Sequence, residues 1–422
     1  MMLLKKIQDA PTFTILSSEH FELTNHAFCE RVIDLAVEFR NQPKKVVAIN
    51  MEQGIDAVVA MFAFAELSWV LAPFVGKENP SVYASFCWQN GEFKEQKAVV
   101  RESQLLTEFL NKNEAGLILS SSGTTGMPKN VLLNFSRLLN KYLRLKTPLK
   151  TVLVFPLSHI SGIETLLSTI SGLGTVIIPE NSSTSKALNL INEHKAEFIS
   201  CSPSYFKLLC FTGECHQKLR SLQFVNLAGE KTRKSDLDLF RERLPFIDFR
   251  QSFGTTETTI YRTYFTDGEG INIGEEGGAY KIIDGVLWLR SPYSMVGYLD
   301  VDEPAGEWFC TGDLVETTNK GQLVFKGRLS NVINVGGEKV NPAEIEEVLL
   351  QHPEVQEALV VGKDNSLLGQ IPIAYLVAEK DIDLDKLKAY CRDNLAEYKV
   401  PFRFILKDGL ELSNRLKKLK PS

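Results

Sequence analysis

Hydrophobic positions occur along the chain in short runs, most of them followed by a longer stretch with helical spacing. The runs at 46–50 (VVAIN), 151–155 (TVLVF) and 175–179 (TVIIP) precede such stretches, and the run at 116–119 precedes a polar loop. Short runs rich in valine and isoleucine predict buried strands. Because strands that alternate with helices form parallel sheets covered by helices, the pattern predicts an α/β fold with parallel-rich sheets flanked by helices.

The pattern changes near Gly270 and again after Arg328. Between residues 270 and 325, glycines separate short strands, which predicts an added antiparallel β subdomain. Residues 341–352 (NPAEIEEVLLQH) predict a helix with proline in its first turn, and two strands and another helix follow. We therefore predict a large domain over residues 1–329 and a small, mobile α+β domain over residues 330–422, with a hinge near Ser330.

The most apolar stretch, residues 57–75, has Glu66 in its middle and Pro73 near its end. It predicts a helix buried in the core and not a membrane span. The N-terminal sequence MMLLKKIQDAPTF is not typical of a signal peptide. The chain is 44% hydrophobic with a net charge of -5, which disfavours both disorder and a general nucleic-acid surface. These features predict a cytoplasmic globular protein without a transmembrane segment.

Seven cysteines are scattered through the chain, and no C-x-x-C pair occurs. Such a distribution predicts reduced, mostly buried thiols. Cys210, Cys215 and His216 form a C-x4-C-H group, which lacks the spacing and the second pair of a structural zinc site. We therefore predict no zinc site in the sequence.

A loop rich in hydroxyl groups and glycine follows the strand predicted at 116–119. It reads SSGTTGMPK over residues 121–129. Gly123 and Gly126 allow successive backbone amides to point at one centre. The side-chain donors are the hydroxyls of Ser121, Ser122, Thr124 and Thr125 and the ammonium of Lys129. Because Met127 and Pro128 precede the lysine, this is not a Walker A loop. The loop predicts a polyphosphate site, with a flexible surface turn as the alternative.

Four further stretches occur later in the chain. They are QSFGTTET (251–258), WFCTGDL (308–314), GRLSNVINVGGEKV (327–340) and EYKVP (397–401). Together with SSGTTGMPK, and in this order, they resemble the motifs of the AMP-forming adenylating enzymes. This superfamily contains acyl-CoA and aryl-CoA synthetases, the adenylation domains of non-ribosomal peptide synthetases, and firefly luciferase. The resemblance extends from about residue 45 to the C-terminus.

The resemblance implies an ATP site built from several stretches. The phosphate loop, which would hold the β and γ phosphates, would consist of Ser121, Ser122, Gly123, Thr124, Thr125, Gly126 and Lys129. The adenine would lie against Gly229, Glu230, Phe253 and Gly254. Thr256 would contact the α phosphate and Glu257 would bind Mg2+, which prefers oxygen ligands. Asp313 and Arg328 would bind the ribose. From the residues alone, surface acids, a core aromatic and a structural ion pair are the alternatives.

The resemblance also implies the reaction. A carboxylate attacks the α phosphorus of ATP, pyrophosphate leaves, and the acyl-adenylate then reacts with the thiol of coenzyme A. Such chemistry needs positioning and neutralisation of phosphate charge, and it needs no protein nucleophile. A phosphopantetheine-bearing carrier protein is an alternative acceptor, and a catalytically degenerate nucleotide-binding homologue is an alternative to both.

In the family, the C-terminal domain rotates between the two half-reactions. The resemblance implies that Ser330 is the hinge and that Gly336 and Gly337 approach the pantetheine arm of the thiol. The family's C-terminal catalytic lysine has no clear counterpart, because the chain ends ELSNRLKKLKPS without the usual glycine. Lys417 is the best positional match and Lys418 the next, and a solvated basic tail is the alternative.

The stretch PLSHISG (156–162) resembles the turn that borders the acyl pocket in acyl-CoA and aryl-CoA synthetases. It implies a catalytic position for His159, for which a structural histidine is the alternative. The short chain and the motif SFGTTET are similar to the compact 2-succinylbenzoate-CoA ligases. We expect a small aryl acid or a medium acyl acid as substrate, because the basic residues that would fix a second carboxylate are not evident.

Overall fold

A computed structural model of the chain describes residues 2–75, 81–89, 91–96, 101–121, 129–144, 147–181, 183–211, 215–264, 270–274, 277–378 and 382–407. The chain divides into two compact units. The first consists of Met1–Phe265, Ile273–Ala279 and Arg290–Phe309, and the second of Thr266–Asn272, Tyr280–Leu289 and Cys310–Ser422.

The described strands are, in chain order, β1 (Thr14–Ser17), β2 (Glu22–Thr24), β3 (Val46–Asn50), β4 (Val70–Phe74), β5 (Phe86–Gln89), β6 (Glu92–Glu95), β7 (Gly116–Ser121), β8 (Lys129–Asn134), β9 (Lys150–Val152), β10 (Thr175–Ile177), β11 (Phe198–Cys201), β12 (Phe224–Leu227), β13 (Asp248–Gln251), β14 (Phe253–Thr255), β15 (Thr259–Tyr264), β16 (Asn272–Gly274), β17 (Ala279–Ile283), β18 (Val286–Arg290), β19 (Gly297–Tyr298), β20 (Glu303–Pro304), β21 (Phe309–Thr317), β22 (Leu323–Arg328), β23 (Ile333–Val335), β24 (Glu338–Val340), β25 (Val355–Asn365), β26 (Gly369–Ala378) and β27 (Arg403–Leu406).

The described α-helices are α1 (Met2–Gln8), α2 (Asn25–Phe39), α3 (Ile55–Glu66), α4 (Gln104–Leu110), α5 (Phe135–Lys141), α6 (Ile160–Ser171), α7 (Thr184–His194), α8 (Pro203–Cys210), α9 (Cys215–Lys218), α10 (Lys234–Arg243), α11 (Pro342–Gln351) and α12 (Leu384–Asn394). Among these described helices, none combines the length and the apolar character that a bilayer crossing requires.

The first unit contains two large sheets. The seven-stranded sheet has the order β13-β12-β11-β9-β10-β1-β2, and its strands are parallel except for β2 at one edge. The eight-stranded sheet has the order β20-β19-β8-β7-β4-β3-β5-β6, with β7, β4, β3 and β5 parallel and the other pairings antiparallel. The predicted α/β fold with parallel-rich sheets is therefore confirmed.

The central strands β3 and β4 of the eight-stranded sheet are buried on both faces. Val47 and Ile49 of β3 face the largest apolar cluster, which includes residues of α2, α3, α5 and α6, and Val46 and Ala48 face a second cluster. A strand buried on both faces has a continuous apolar sequence, as VVAIN does. This explains why the strand could be predicted with its observed bounds.

The helix predicted over residues 57–75 is only partly correct. α3 is buried as predicted but ends at Glu66, and Pro73 lies in β4. Ser68 has a φ of 57°, so the chain reverses there before the strand begins. An apolar run buried in a helix and one buried in a central strand have the same composition, and the sequence did not separate them.

The second unit contains two sheets. The four-stranded sheet has the order β17-β18-β21-β22, with β21 and β22 antiparallel. The other sheet has the order β24-β23-β26-β25, with β27 parallel to β26, and its apolar side packs against α11 and α12. Both predicted helices are present, and Asn341 caps α11 through a hydrogen bond from the amide of Ala343. Ser330 lies inside this unit, and the boundary and hinge predicted there stay predictions.

Candidate active site

The carboxyl ends of adjacent parallel strands β9, β11, β12 and β13 lie at one edge of the seven-stranded sheet. β9 leads to the turn that carries His159, β12 is followed by Gly229 and Glu230, and β13 by Phe253. Ligands of open α/β sheets bind outside the carboxyl ends of the strands. The structure therefore brings these predicted site residues to the edge where a ligand is expected.

Glu230 is held at this edge by the neighbouring connection. Its Oε2 accepts a hydrogen bond from the Ser204 hydroxyl at 2.6 Å, and Ser204 lies in the first turn of α8, directly after β11. The backbone amide of Ser252 donates to Leu227 O at 3.0 Å, so β12 and β13 stay paired to their ends. The Gly229–Glu230 turn therefore lies beside the start of SFGTTET.

The stretch SFGTTET forms a tight hairpin. Phe253 lies opposite Tyr261 and Gly254 opposite Ile260 in the pairing of β14 with β15, and residues 256–258 form the turn. A Cβ atom on Gly254 would lie 2.3 Å from the carbonyl oxygen of Thr259, so the close approach of the strands requires glycine. Gly254 therefore has a packing role, whether or not it also contacts a nucleotide.

Ser121 and Lys129, the first and last residues of the predicted phosphate loop, lie opposite each other. Ser121 of β7 pairs in register with Lys129 of β8. The Ser121 hydroxyl is buried and finds no hydrogen-bond partner among the described residues. Buried polar groups are normally satisfied, so an unpartnered hydroxyl here suits a polar ligand. The other predicted loop residues, Ser122, Gly123, Thr124, Thr125 and Gly126, lie outside the described residues.

Tyr298 connects the phosphate loop to the hairpin turn. Its ring centroid lies 4.7 Å from Lys129 Nζ, and its hydroxyl donates to Glu257 Oε1 at 3.2 Å. The backbone amide of Met295 donates to Glu257 O at 2.7 Å. Burial raises the pKa of Tyr298, and the Glu257 carboxylate adds to the shift. The phenol therefore stays protonated and orients the carboxylate of Glu257, next to Thr256, which is 7% exposed.

Asn130 occupies the position after the loop lysine where the family usually has glycine. Its side chain donates to Asp300 Oδ1 at 3.0 Å, and its backbone amide donates to Asp300 Oδ2. Asp300 also accepts from the Tyr83 hydroxyl at 3.3 Å. The asparagine that replaces the usual glycine thus has an acidic partner, Asp300, which follows the strand that pairs with β8.

Asp313 and Arg328, the two predicted ribose ligands, lie in contact in the second unit. They are opposite each other on β21 and β22, and Arg328 Nε donates to Asp313 Oδ1 at 2.7 Å. The backbone amide of Asp313 donates a hydrogen bond to Thr311 Oγ1 at 3.0 Å. The Arg328 side chain also donates to the carbonyl oxygen of Thr311 at 3.2 Å. A carboxylate fixed in this way presents a prearranged acceptor.

Gly336 and Gly337 form the turn between β23 and β24 in the second unit, with φ values of 60° and 98°. This conformation favours glycine at both positions. The amide of Gly336 donates to Leu368 O at 2.7 Å, and a Cβ on Gly337 would meet no atom within 4 Å. The backbone of Gly337 is thus open to a ligand's approach. Lys417 and Lys418 lie outside the described residues.

His159 caps the N-terminus of α6. Its Nδ1 accepts a hydrogen bond from the amide of Ser161 at 3.3 Å. In the neutral ring the proton then lies on Nε2, an inference from this contact. His159 therefore has the structural role that was the predicted alternative. The same hydrogen bond defines the tautomer, in which Nε2–H is the donor of the ring.

The sequence model of a family described as AMP-binding enzyme matches residues 75–299, and that of the AMP-binding enzyme C-terminal domain matches residues 344–417. The chain belongs to the AMP-binding enzyme family. The superfamily resemblance stated from the five motifs is confirmed.

Relatives and solved structures agree with this membership. A 2-succinylbenzoate–CoA ligase of Bacillus licheniformis is 33% identical over 344 residues, which cover 73% of this chain and 70% of the relative. Crystallised ATP-bound MatB from Rhodopseudomonas palustris has the same fold, with a TM-score of 0.83 at 18% identity over 99% of this chain and 96% of its own. The o-succinylbenzoate coenzyme A synthetase of Bacillus subtilis in complex with AMP gives a TM-score of 0.74 at 25% identity, over 99% and 96% of the chains.

This AMP-binding enzyme is an AMP-forming acid–thiol ligase. It activates a carboxylic acid with ATP to an acyl-adenylate, releases pyrophosphate, and transfers the acyl group to the thiol of coenzyme A. Mg2+ accompanies ATP in this chemistry. The hairpin turn fits such a cation, because the Glu257 carboxylate, oriented by the Tyr298 hydroxyl, offers oxygen ligands of the kind that Mg2+ prefers.

Sequence reasoning missed several residues that contact either the predicted site residues or the residues just after their motifs. They are Tyr298, Ser204, Asp300, Lys141 and Glu164. Only Glu164 has a local signal, because it is the one acidic residue in the otherwise apolar or small-residue helix ISGIETLLSTIS. A lone acid at a buried helical position indicates a paired charge.

Replacing Tyr298 with phenylalanine is expected to lower adenylation about tenfold. One hydrogen bond to a charged carboxylate is lost while the ring beside Lys129 stays, and such bonds contribute about 1.5–3 kcal/mol, with the lower end expected for a 3.2 Å contact. The measurement is the Mg2+ and ATP dependence of pyrophosphate exchange. Tyr398→Phe is the matched control, because Tyr398 is 39% exposed. Equal exchange rates for Tyr298→Phe and the unaltered enzyme would show that Glu257 is oriented without the phenol.

Proposed function

We propose that this AMP-binding enzyme activates a small aryl acid of the class that includes 2-succinylbenzoate. The Bacillus licheniformis relative carries the name of that ligase at 33% identity. The observation that carries the proposal is the edge of the seven-stranded sheet, where His159, Glu230 and Phe253 follow β9, β12 and β13 of the parallel strands β9, β11, β12 and β13. An acid bound beside His159 would lie near a nucleotide bound beside Glu230 and Phe253, as transfer to the α phosphorus requires.

The nucleotide is held by residues with complementary donors and acceptors. The phosphate loop with Ser121 and Lys129 binds the β and γ phosphates, and Thr256 donates to the α phosphate. Glu257 holds Mg2+, which neutralises phosphate charge when bound. Asp313 accepts hydrogen bonds from both ribose hydroxyls, and Arg328, its partner at 2.7 Å, keeps the carboxylate oriented.

The acid and the thiol are bound by other residues. The Nε2–H group of His159 donates to the acid, and Nδ1 stays bound to the amide of Ser161. Gly336 and Gly337 contact the pantetheine arm. Rotation at Ser330 brings Lys417 to the nucleotide for adenylation and the Gly336–Gly337 turn to the thiol for thioester formation. A carrier protein offers the same pantetheine thiol as coenzyme A and is the second acceptor to be tested. We place the reaction in the cytoplasm, where ATP and coenzyme A are available.

The proposal is tested by ATP–pyrophosphate exchange with a panel of acids. The panel contains 2-succinylbenzoate, benzoate, a cinnamate and octanoate, and the expected result is exchange with aryl acids followed by AMP release that depends on coenzyme A. Exchange with octanoate alone would contradict the aryl class. Acyl transfer to a holo-carrier protein but not to coenzyme A would contradict the acceptor, and ATP binding without exchange for any acid would contradict the activity.

A further inference from the structure

A buried ion pair lies next to the hairpin turn. Lys141 is the last residue of α5 and Glu164 lies in the middle of α6. Their side chains are 6% and 1% exposed, and Lys141 Nζ lies 2.9 Å from Glu164 Oε1. Removing two charges from water is unfavourable unless further hydrogen bonds satisfy both groups. The other hydrogen-bond partners of Lys141 and Glu164 therefore indicate the role of the pair.

Those partners include the backbone of the hairpin. Glu164 Oε2 accepts from the amide of Ile260 at 2.6 Å. Lys141 Nζ donates to the carbonyl of Ile260 and, at 3.0 Å, to Thr259 Oγ1. The Tyr142 hydroxyl donates to Glu164 Oε1 at 2.6 Å. The ion pair thus binds both backbone polar groups of Ile260, as a neighbouring strand would.

Thr259 has a backbone conformation that needs support. It is fully buried, and its φ of 61° is rare for a β-branched residue. Conformations of this kind persist only where the surroundings determine them, and they occur often at functional sites. The hydrogen bond from Lys141 to the Thr259 side chain is one such constraint, one residue beyond the 256–258 turn.

The turn is also fixed by a different segment of the chain. Met295 donates to the backbone of Glu257 and Tyr298 to its side chain. The ring of Tyr293, in the same segment, lies 5.3 Å from Lys141 Nζ. The hairpin that carries Thr256 and Glu257 is therefore held by both the 293–298 segment and the ion pair.

We propose that Lys141 and Glu164 are positioning residues for adenylation, which fix the backbone at Thr259 and Ile260 and thereby the positions of Thr256 and Glu257. This inference rests on the roles given to Thr256 and Glu257 in the proposed function. A buried ion pair is often no more stabilising than apolar residues of similar size, so stability alone does not account for it. The hydrogen bonds to the turn are what apolar residues would not reproduce.

The test is the double variant Lys141→Met/Glu164→Leu, which removes both charges and keeps the volume. It is expected to fold with an unfolding midpoint somewhat below that of the unaltered enzyme, because no charge is left unpaired but the backbone groups of Ile260 lose their hydrogen-bond partners. The kcat of ATP–pyrophosphate exchange is expected to fall on the order of tenfold or more, because small misplacements of catalytic groups are costly. The KM for the acid is expected to stay unchanged, and the Mg2+ concentration for half-maximal exchange to rise.

The matched control is Lys207→Met/Asp236→Leu. That pair, 3.1 Å apart and 20% and 15% exposed, joins α8 to α10. Its removal is expected to leave the kcat of exchange unchanged. A Lys141→Met/Glu164→Leu variant that folds and exchanges at the unaltered rate would overturn the proposal.

A second measurement does not depend on activity. Amide hydrogen exchange of residues 256–261 is expected to become faster in the Lys141→Met/Glu164→Leu variant and to stay unchanged in the control variant. Unchanged exchange rates in this segment would overturn the inference even if the proposed substrate class were correct. Conversely, an unaltered enzyme without activity towards any acid, together with faster hydrogen exchange in the variant, would contradict the proposed function and support the positioning of the turn.

The side chain of Thr259 allows a conservative comparison. Thr259→Ser keeps the hydroxyl that accepts from Lys141, and Thr259→Val keeps the shape without it. We expect slower adenylation for Thr259→Val and near-normal adenylation for Thr259→Ser. Equal loss in both variants would indicate a packing effect and contradict the role of this hydrogen bond.

Discussion

Replacing Asp313 with alanine is expected to lower kcat/KM for ATP about 100-fold. In the proposed function the carboxylate accepts two hydrogen bonds from the ribose. Each hydrogen bond to a charged group contributes about 1.5–3 kcal/mol, so their joint loss is about 3 kcal/mol or more. Asp313 is only 8% exposed, and its contact with Arg328 holds it in place before ATP binds. The measurement is the ATP dependence of pyrophosphate exchange.

Glu316→Ala is the control for this prediction. Glu316 lies on the same strand, β21, and its ion pair with Lys326 is exposed to solvent, with side chains 69% and 44% exposed. Surface pairs of this kind contribute about 0–1 kcal/mol, so the control is expected to retain both stability and ATP kinetics. If Asp313→Ala folds and retains the KM for ATP, the ribose assignment is wrong and the Asp313–Arg328 pair is structural.

Replacing Lys417 with alanine is expected to lower acyl-adenylate formation about 100- to 1000-fold. An ammonium placed at a transferring phosphorus stabilises charge that develops in the transition state, and removal of one such group has an effect of about this size. Lys417 belongs to the C-terminal stretch ELSNRLKKLKPS, which also offers Lys418. Thioester formation from a supplied acyl-adenylate is expected to stay close to normal, because that step forms no bond at phosphorus.

The two half-reactions are therefore measured separately for Lys417→Ala, Lys418→Ala and, as the control in the same stretch, Lys420→Ala. A loss confined to Lys418→Ala would move the assignment by one residue. Normal adenylation in all three variants would mean that these lysines form a solvated basic tail and that another group acts at the phosphorus.

The strands whose two faces are both buried were predicted well from the sequence. The run at 46–50 is β3 with the predicted bounds, and the run at 116–119 lies within β7. Their apolar residues form a local signal that does not depend on the partner strand. The stretch at 57–75 was predicted less well, because a reversal at Ser68 inside an apolar run leaves no compositional mark.

In the candidate site, too, some residues could be predicted from the sequence and others could not. Ser121 and Lys129, Thr256 and Glu257, and Asp313 and Arg328 lie in motifs that can be recognised along the chain. The residues that hold the hairpin with Thr256 and Glu257 lie outside these motifs: Tyr298 contacts Glu257 across 41 positions, and Glu164 contacts Ile260 across 96. No local pattern reports such contacts, because they depend on which elements the fold places side by side.

The sequence by itself determined the family and the reaction, and it supplied most of the residues proposed to bind ATP, because ligand chemistry needs particular side chains at short, fixed spacings. Only the tertiary structure decided how those residues are held. The pairing of Asn130 with Asp300 and the burial of Lys141 with Glu164 beside Thr259 are results of strand and helix packing. The energy of a charged side chain depends far more on its burial than on the residues next to it in the sequence. Burial exists only in the folded chain.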